Sequence, residues 1–173
     1  MTASSAHVPR VSANSHRWLA YVVFAFFGAL LTFVAARAQT KASDDALFRK
    51  LTDSYCAAWS SANLDNVAKF YAKDANLVFY DAAPFSYTGW AEYQAGVKKE
   101  FLDSAASVTL TPGPELKVTR RGNVAWTTVP IRLLFKGKDG KTMDIVLRYT
   151  GIWEKRGKTW LIVHEHISAP LHN

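Results

Sequence analysis

Near the end of the chain, His164 and His166 lie two residues apart within Trp160 to Ser168, a run rich in β-branched and aromatic residues that reads as a strand. Side chains alternate across a strand, so strict alternation places Trp160, Ile162, His164 and His166 on one face. Leu161, Val163, Glu165 and Ile167 then share the other. An imidazole titrates close enough to neutrality to serve as a general base. In the preceding run, Arg148 is a cation inside an otherwise apolar strand, in one row with Thr150 and Ile152, while Leu147, Tyr149 and Trp153 form the alternate row. A cation in such a place wants a partner. Asp81 closes an earlier strand-like run, and a desolvated carboxylate can be raised into the range where histidine works. The catalytic expectation is that His166 or Asp81 moves a proton on an apolar ligand while Arg148 steadies an oxyanion. The competing expectation is a buried polar network in which Arg148 and the histidines pair with Glu165 or Asp144 and only fix the hairpin.

Other chemistries find less support. His164 and His166 could fill two coordination positions, but a zinc or iron site needs a third ligand. The chain offers no HExxH, no cysteine pair and no carboxylate at a diagnostic interval. There is no GxGxxG after a strand, no phosphate-binding loop and no GxSxG elbow. No metal and no other cofactor is expected. With one cysteine, Cys56, no intrachain disulfide can form, and its place in a helical pattern makes it a small buried hydrophobe. The formal charge is +7, with Arg10, Arg17 and Arg37 all before residue 39. The remaining basic residues gather at turns, Arg120-Arg121, Lys136 to Lys141 and Lys155 to Lys158, where solvation accounts for them, so no nucleic-acid partner is expected.

The elements that must position these groups follow from periodicity. Residues 1–38 have the layout of a secretory signal: Arg10 and Arg17, an uncharged apolar run from Trp18 to Val34, then small residues at Ala36 and Ala38. Cleavage after Ala38 would release the domain into a periplasm or the extracellular space. An uncleaved run would anchor it in the membrane with the domain outside the cytoplasm. A linker over 39–43 leads to a helix capped by Ser43, with Asp44 and Asp45 in its first turn and Phe48, Leu51, Tyr55 and Trp59 on one face. Leu64 to Tyr71 predicts a short second helix capped by Asn63, and Ala75 to Asp81 a first strand that pairs with Phe85 to Thr88. A third helix starts near Gly89 with Trp90, Tyr93, Val97 and Phe101 as its buried stripe. From Ser107 the period changes to two, and Leu116 to Arg120, Val124 to Phe135, Thr142 to Lys155 and Trp160 to Ser168 are joined by short turns. This order predicts an α+β domain over 44–173 whose curled, mostly antiparallel sheet wraps its helices.

The closing stretch GIWEKRGKTWLIVHEHISAP, with Trp153, Gly157-Lys158, Trp160, Val163-His164, His166, Ser168 and Ala169-Pro170, resembles the C-terminal hairpin of SnoaL-like proteins in the nuclear transport factor 2-like superfamily. It also resembles the association domain of calcium/calmodulin-dependent kinase II. Upstream, Cys56 to Asp81 followed by Gly89 is similar to the SnoaL-like opening, so the resemblance covers nearly all of the chain after residue 43. It implies a cone-shaped sheet with a pocket at its open end, the usual form of a small-molecule site. Asp81, Arg148, His164 and His166 are the polar residues expected to reach that pocket, and Trp59, Tyr71, Tyr80 and Trp126 the aromatic ones. The family spans enzymes and non-catalytic modules, so the resemblance implies either proton-transfer chemistry or ligand binding and assembly alone. A homodimer through the outer face of the sheet is implied too, with Tyr149, Trp153 and Val163 as its apolar patch.

Overall fold

A helix, α1, runs through residues 39–60 of the computed structural model, which describes residues 39–82 and 85–170. Residues 39–43 are thus helical, where a linker and a cap at Ser43 were expected. The leader expected over 1–38 lies outside the described residues. Among the described residues no helix is long and apolar enough to cross a membrane. From Ser43 onward the chain forms one compact unit. Phe48, Thr52, Tyr55, Cys56 and Trp59 of α1 are buried at helical spacing, the apolar face that the sequence predicts. Two ties fix this helix to the sheet. Arg49 donates to the carbonyls of Gly113 (2.8 Å) and Pro114 (2.9 Å), and Asp44 pairs with Arg120 (2.8 Å). Next comes α2 (Leu64–Val67), capped by Asn63, whose side chain accepts the Asp65 N–H (2.9 Å). A 3-10 turn over Ala68–Phe70 delivers Tyr71 into the core.

Strands β1 (Val78–Tyr80) and β2 (Tyr87–Thr88) form a small hairpin before α3 (Gly89–Glu100), which buries Trp90, Tyr93 and Val97 as expected. Gly89 opens α3 with φ of +72°, and a Cβ there would lie 2.6 Å from the Ala75 carbonyl oxygen, so only glycine fits. Five longer strands follow the first two: β3 (Ala105–Pro112), β4 (Lys117–Arg121), β5 (Val124–Gly137), β6 (Thr142–Arg156) and β7 (Thr159–Ser168). The sheet order is β2-β1-β7-β6-β5-β3, with β4 also on β5. All pairings are antiparallel except β1 on β7, which is parallel. The result is the expected α+β fold, an open curved sheet whose inner face holds the helices.

One irregularity decides which side chains face inward. Ile152 pairs with His164 but Trp153 pairs with Ile162, so Val163 is an extra residue in β7. A bulge of this kind shifts the phase of alternation by one. Before it, Trp160 and Ile162 point into the core; after it, Glu165 takes the buried position and His166 the exposed one. Strict alternation therefore assigns the faces wrongly beyond Val163. The same correction applies on β6, where Tyr149 (2% exposed) and Trp153 (0%) lie in the core rather than in an exterior patch. Arg148 lies outside with its guanidinium donating to the Ala169 carbonyl (2.9 Å), and Asp144 pairs with Arg132 (2.6 Å) rather than with a histidine.

Candidate functional site

Inside the curl, three tyrosines converge on Glu165, which has no exposed surface. Tyr55 from α1 donates to its Oε2 (3.1 Å), Tyr71 donates to Oε1 (2.7 Å), and Tyr93 from α3 donates to Oε1 in a short bond. The Tyr71 and Tyr93 hydroxyls are 3.2 Å apart. Burial pushes the Glu165 carboxyl up to about 7, and the bonds from Tyr93 and Tyr71 pull only partly against it. Burial and the neighbouring Glu165 charge push all three phenols well above their ordinary value. Gly151 sits across the ladder from Glu165, and a Cβ on it would lie 2.3 Å from the Tyr149 hydroxyl. The glycine leaves room for the Tyr149 ring over the strand, packed against Tyr55 at 5.2 Å.

Next to this cluster lies a cavity of about 230 Å³. Tyr55 and Tyr93 form its wall toward Glu165. Trp59, Tyr87, Val97 and Phe101 line the helical side, and Leu110, Leu133, Ile145, Leu147 and Ile167 line the sheet side. Its charged lining residues are Asp81 and Glu100, both acids; no lysine, arginine or histidine is among the described residues that line it. Asp81 lies one residue beyond β1 and two after the buried Phe79, so the alternation of the strand, continued past its end, turns it toward the interior. It is half-buried, and burial pushes its carboxyl up from the ordinary value while the Ala82 N–H, 2.6 Å away, pulls it down. Glu100 stands exposed at the end of α3, paired with Lys99 (3.0 Å).

Of the residues singled out from sequence, Asp81 and Trp59 meet in the cavity, and Tyr71 stands behind it on Glu165. The others do not reach it. His164 and His166 flank Tyr80 on the outer face, at 5.5 and 5.9 Å between ring centroids, and His164 Nδ1 is 2.7 Å from the Val78 carbonyl oxygen. Trp126 is 37% exposed on the same face, opposite Ile152, and Arg148 is exposed as well. The bulge at Val163 is the cause for the histidines: it turns them out and brings Glu165 in. Glu165, Tyr55, Tyr87 and Tyr93 are the residues that sequence reasoning left out of the site. One signal for Glu165 was present, because an acid in an apolar strand needs donors as much as Arg148 needs a partner. Among the described residues no three His, Cys, Asp or Glu side chains gather closely enough to hold a metal ion.

Comparison with known proteins agrees with this architecture. A model of the SnoaL-like domain matches residues 49–172. A nuclear transport factor 2-like superfamily protein from Salmonella enterica serovar Typhimurium superposes with a TM-score of 0.66 at 17% identity, covering 76% of this chain and 94% of that one. A candidate calcium/calmodulin-dependent protein kinase II association domain from Xanthomonas campestris is 25% identical, with a TM-score of 0.61 over 71% of this chain and 85% of that one. A candidate dehydratase of the same fold from Streptomyces avermitilis has a TM-score of 0.64 at 12% identity, over 78% and 99% of the two chains. No curated protein matches.

Proposed function

The chain belongs to the SnoaL-like domain family, and on that premise we propose that its cavity encloses a small, largely apolar organic ligand with which Asp81 exchanges a proton. The observation that carries this reading is the placement of Asp81: a half-buried carboxylate, raised by burial, opening onto a cavity walled by aromatic and aliphatic side chains. A carboxylate in such surroundings is a stronger base than in water, which suits removal of a proton from carbon next to a carbonyl. Solved structures of similar fold include a candidate dehydratase, a reaction class that also moves such protons. The test uses 2-tetralone in deuterated buffer. The full chain is expected to raise its melting temperature with the ketone present and to speed exchange of the ketone's α-hydrogens. Asp81→Asn is expected to slow that exchange by about 100-fold or more. Failure of a panel of hydrophobic ketones to stabilise the protein, or equal exchange by the variant, would overturn the reading.

A second reading, assembly, rests on a separate observation. Val124, Trp126, Leu134 and Val146 are exposed on the outer face of β5 and β6, where a lone monomer would leave apolar surface in water. The proposed homodimer buries this face, and the relative from Xanthomonas campestris is itself described as an association domain. Light scattering is expected to give a dimer that Val146→Lys weakens; a monomer at all concentrations would remove the reading. Residues 1–38 complete the proposal as an export signal, delivering the domain to the periplasm or outside the cell. Intact mass of the exported protein decides between a cut leader and a retained anchor.

A further inference from the structure

Trp59 and Tyr87 are each 4% exposed, and both line the cavity. Neither Trp59 Nε1 nor Tyr87 Oη has a hydrogen-bond partner among the described residues. Buried polar groups are nearly always paired, and an unpaired one lowers stability, so two beside one cavity call for an explanation. A third such atom, Tyr149 Oη, belongs to a residue that does not line the cavity.

Both groups are held in place by their surroundings. Trp59 lies in the last turn of α1 with its ring edge-on to Tyr55 (6.4 Å) and Tyr93 (6.5 Å). Tyr87 comes from β2 and lies on Gly96 of α3: a Cβ on Gly96 would sit 2.0 Å from Tyr87 Cε1 and 2.8 Å from its hydroxyl oxygen. The missing side chain at Gly96 makes room for the tyrosine at the cavity wall. An indole N–H can only donate, and a phenol can donate as well.

We propose that Trp59 Nε1 and Tyr87 Oη hold a hydrogen-bond acceptor on the ligand, which makes that ligand a neutral apolar molecule with a carbonyl-type oxygen. This rests on the pocket reading above and adds the atom by which the protein orients its ligand. A carboxylate ligand would face Asp81 and Glu100 with no cation lining the cavity to pair with it. An ammonium would be welcomed by the two acids, but it has no lone pair to offer the indole. Trp59 and Tyr87 are therefore specificity-determining residues, distinct from Asp81.

The test measures binding of four probes of one shape to the full chain: indane, 1-indanone, indane-1-carboxylate and 1-aminoindane. The expected result is that 1-indanone binds about tenfold more tightly than indane and more tightly than the acid or the amine. Trp59→Phe and Tyr87→Phe are each expected to bring the ratio of ketone to hydrocarbon affinity close to one. Ligand-free Tyr87→Phe is expected to melt no lower than the native protein, since the hydroxyl it loses leaves no partner behind. A clearly lower melting temperature would give that hydroxyl a structural bond and overturn its assignment. Equal binding of ketone and indane, preference for the amine or the acid, or an unchanged ratio in both variants would overturn this inference and leave the pocket reading standing. Binding of none of the four would overturn both.

Discussion

Replacing Glu165 with alanine is expected to destabilise the protein by about 3–5 kcal/mol, because it strands three buried tyrosine hydroxyls that now share one carboxylate. Glu165→Gln keeps an acceptor and the shape, so its cost is smaller, but it removes the titration. The pH dependence separates the two effects. The native carboxyl is raised from its ordinary 4.5 to about 7, so the folded state binds a proton more tightly than the unfolded chain does. Its contribution is fully present below the unfolded value and is lost as pH rises through the native one. Stability should therefore fall by about 3 kcal/mol between pH 4.5 and 7, at roughly 1.4 kcal/mol per pH unit. In Glu165→Gln that slope should flatten. Asp74, Asp139 and Asp144, held low by exposed basic partners, act in the opposite direction and only at more acid pH, whereas Asp81, raised by burial, adds to the loss with rising pH in both proteins, so the difference between native protein and Glu165→Gln isolates Glu165. Urea unfolding of native protein and variant at a series of pH values checks the result, and parallel curves for the two would refute the role given to Glu165.

Inserting one alanine between His164 and Glu165 should be more damaging than any substitution at Val163. With a further residue beside the bulge, β7 can keep the observed face on one side of the insertion only. If Trp160 and Ile162 stay inside, Glu165 turns out and His166 is driven among Tyr55, Tyr71 and Tyr93. If Glu165 stays inside, Trp160 and Ile162 are expelled. Exposing those two side chains forfeits about 1.5–3 kcal/mol each, a large part of the 5–15 kcal/mol by which a domain of this size is stable. The expected outcome is loss of cooperative unfolding and of near-ultraviolet circular dichroism. Val163→Ala keeps the count of residues, and its half-buried site predicts a change within about 1 kcal/mol. A cooperative, native-like insertion variant would show that the residue count in this stretch of β7 does not set the phase.

These two positions also show how far the sequence could be read. Helix faces were legible because their signal averages over several turns: Phe48, Tyr55 and Trp59, or Trp90, Tyr93 and Val97, hold their pattern whatever one residue does. Strand positions were legible for the same reason, as the turns at Gly122, Gly140 and Gly157, each with positive φ, mark them clearly. The site was not, because a period of two carries no tolerance. One inserted residue exchanged Glu165 for His164 and His166, and with them the identity of the buried acid. Asp81, just past β1, and Trp59 of α1 line the cavity, on stretches that contain no such irregularity. Tyr80 and Trp126 were misplaced because an aromatic residue reads as a core residue even when it faces outward at 39% and 37% exposure.

The parallel ladder of β1 on β7 brings Phe79 beside Glu165, two positions separated by most of the domain's length. A ribosome emitting this chain has made all of Tyr55, Tyr71 and Tyr93 long before the acid that quenches their hydroxyls emerges. Those tyrosines must wait, their hydroxyls bonded to water, until the final strand arrives to replace it, so native structure forms after synthesis is nearly complete and at a rate limited by distant pairing.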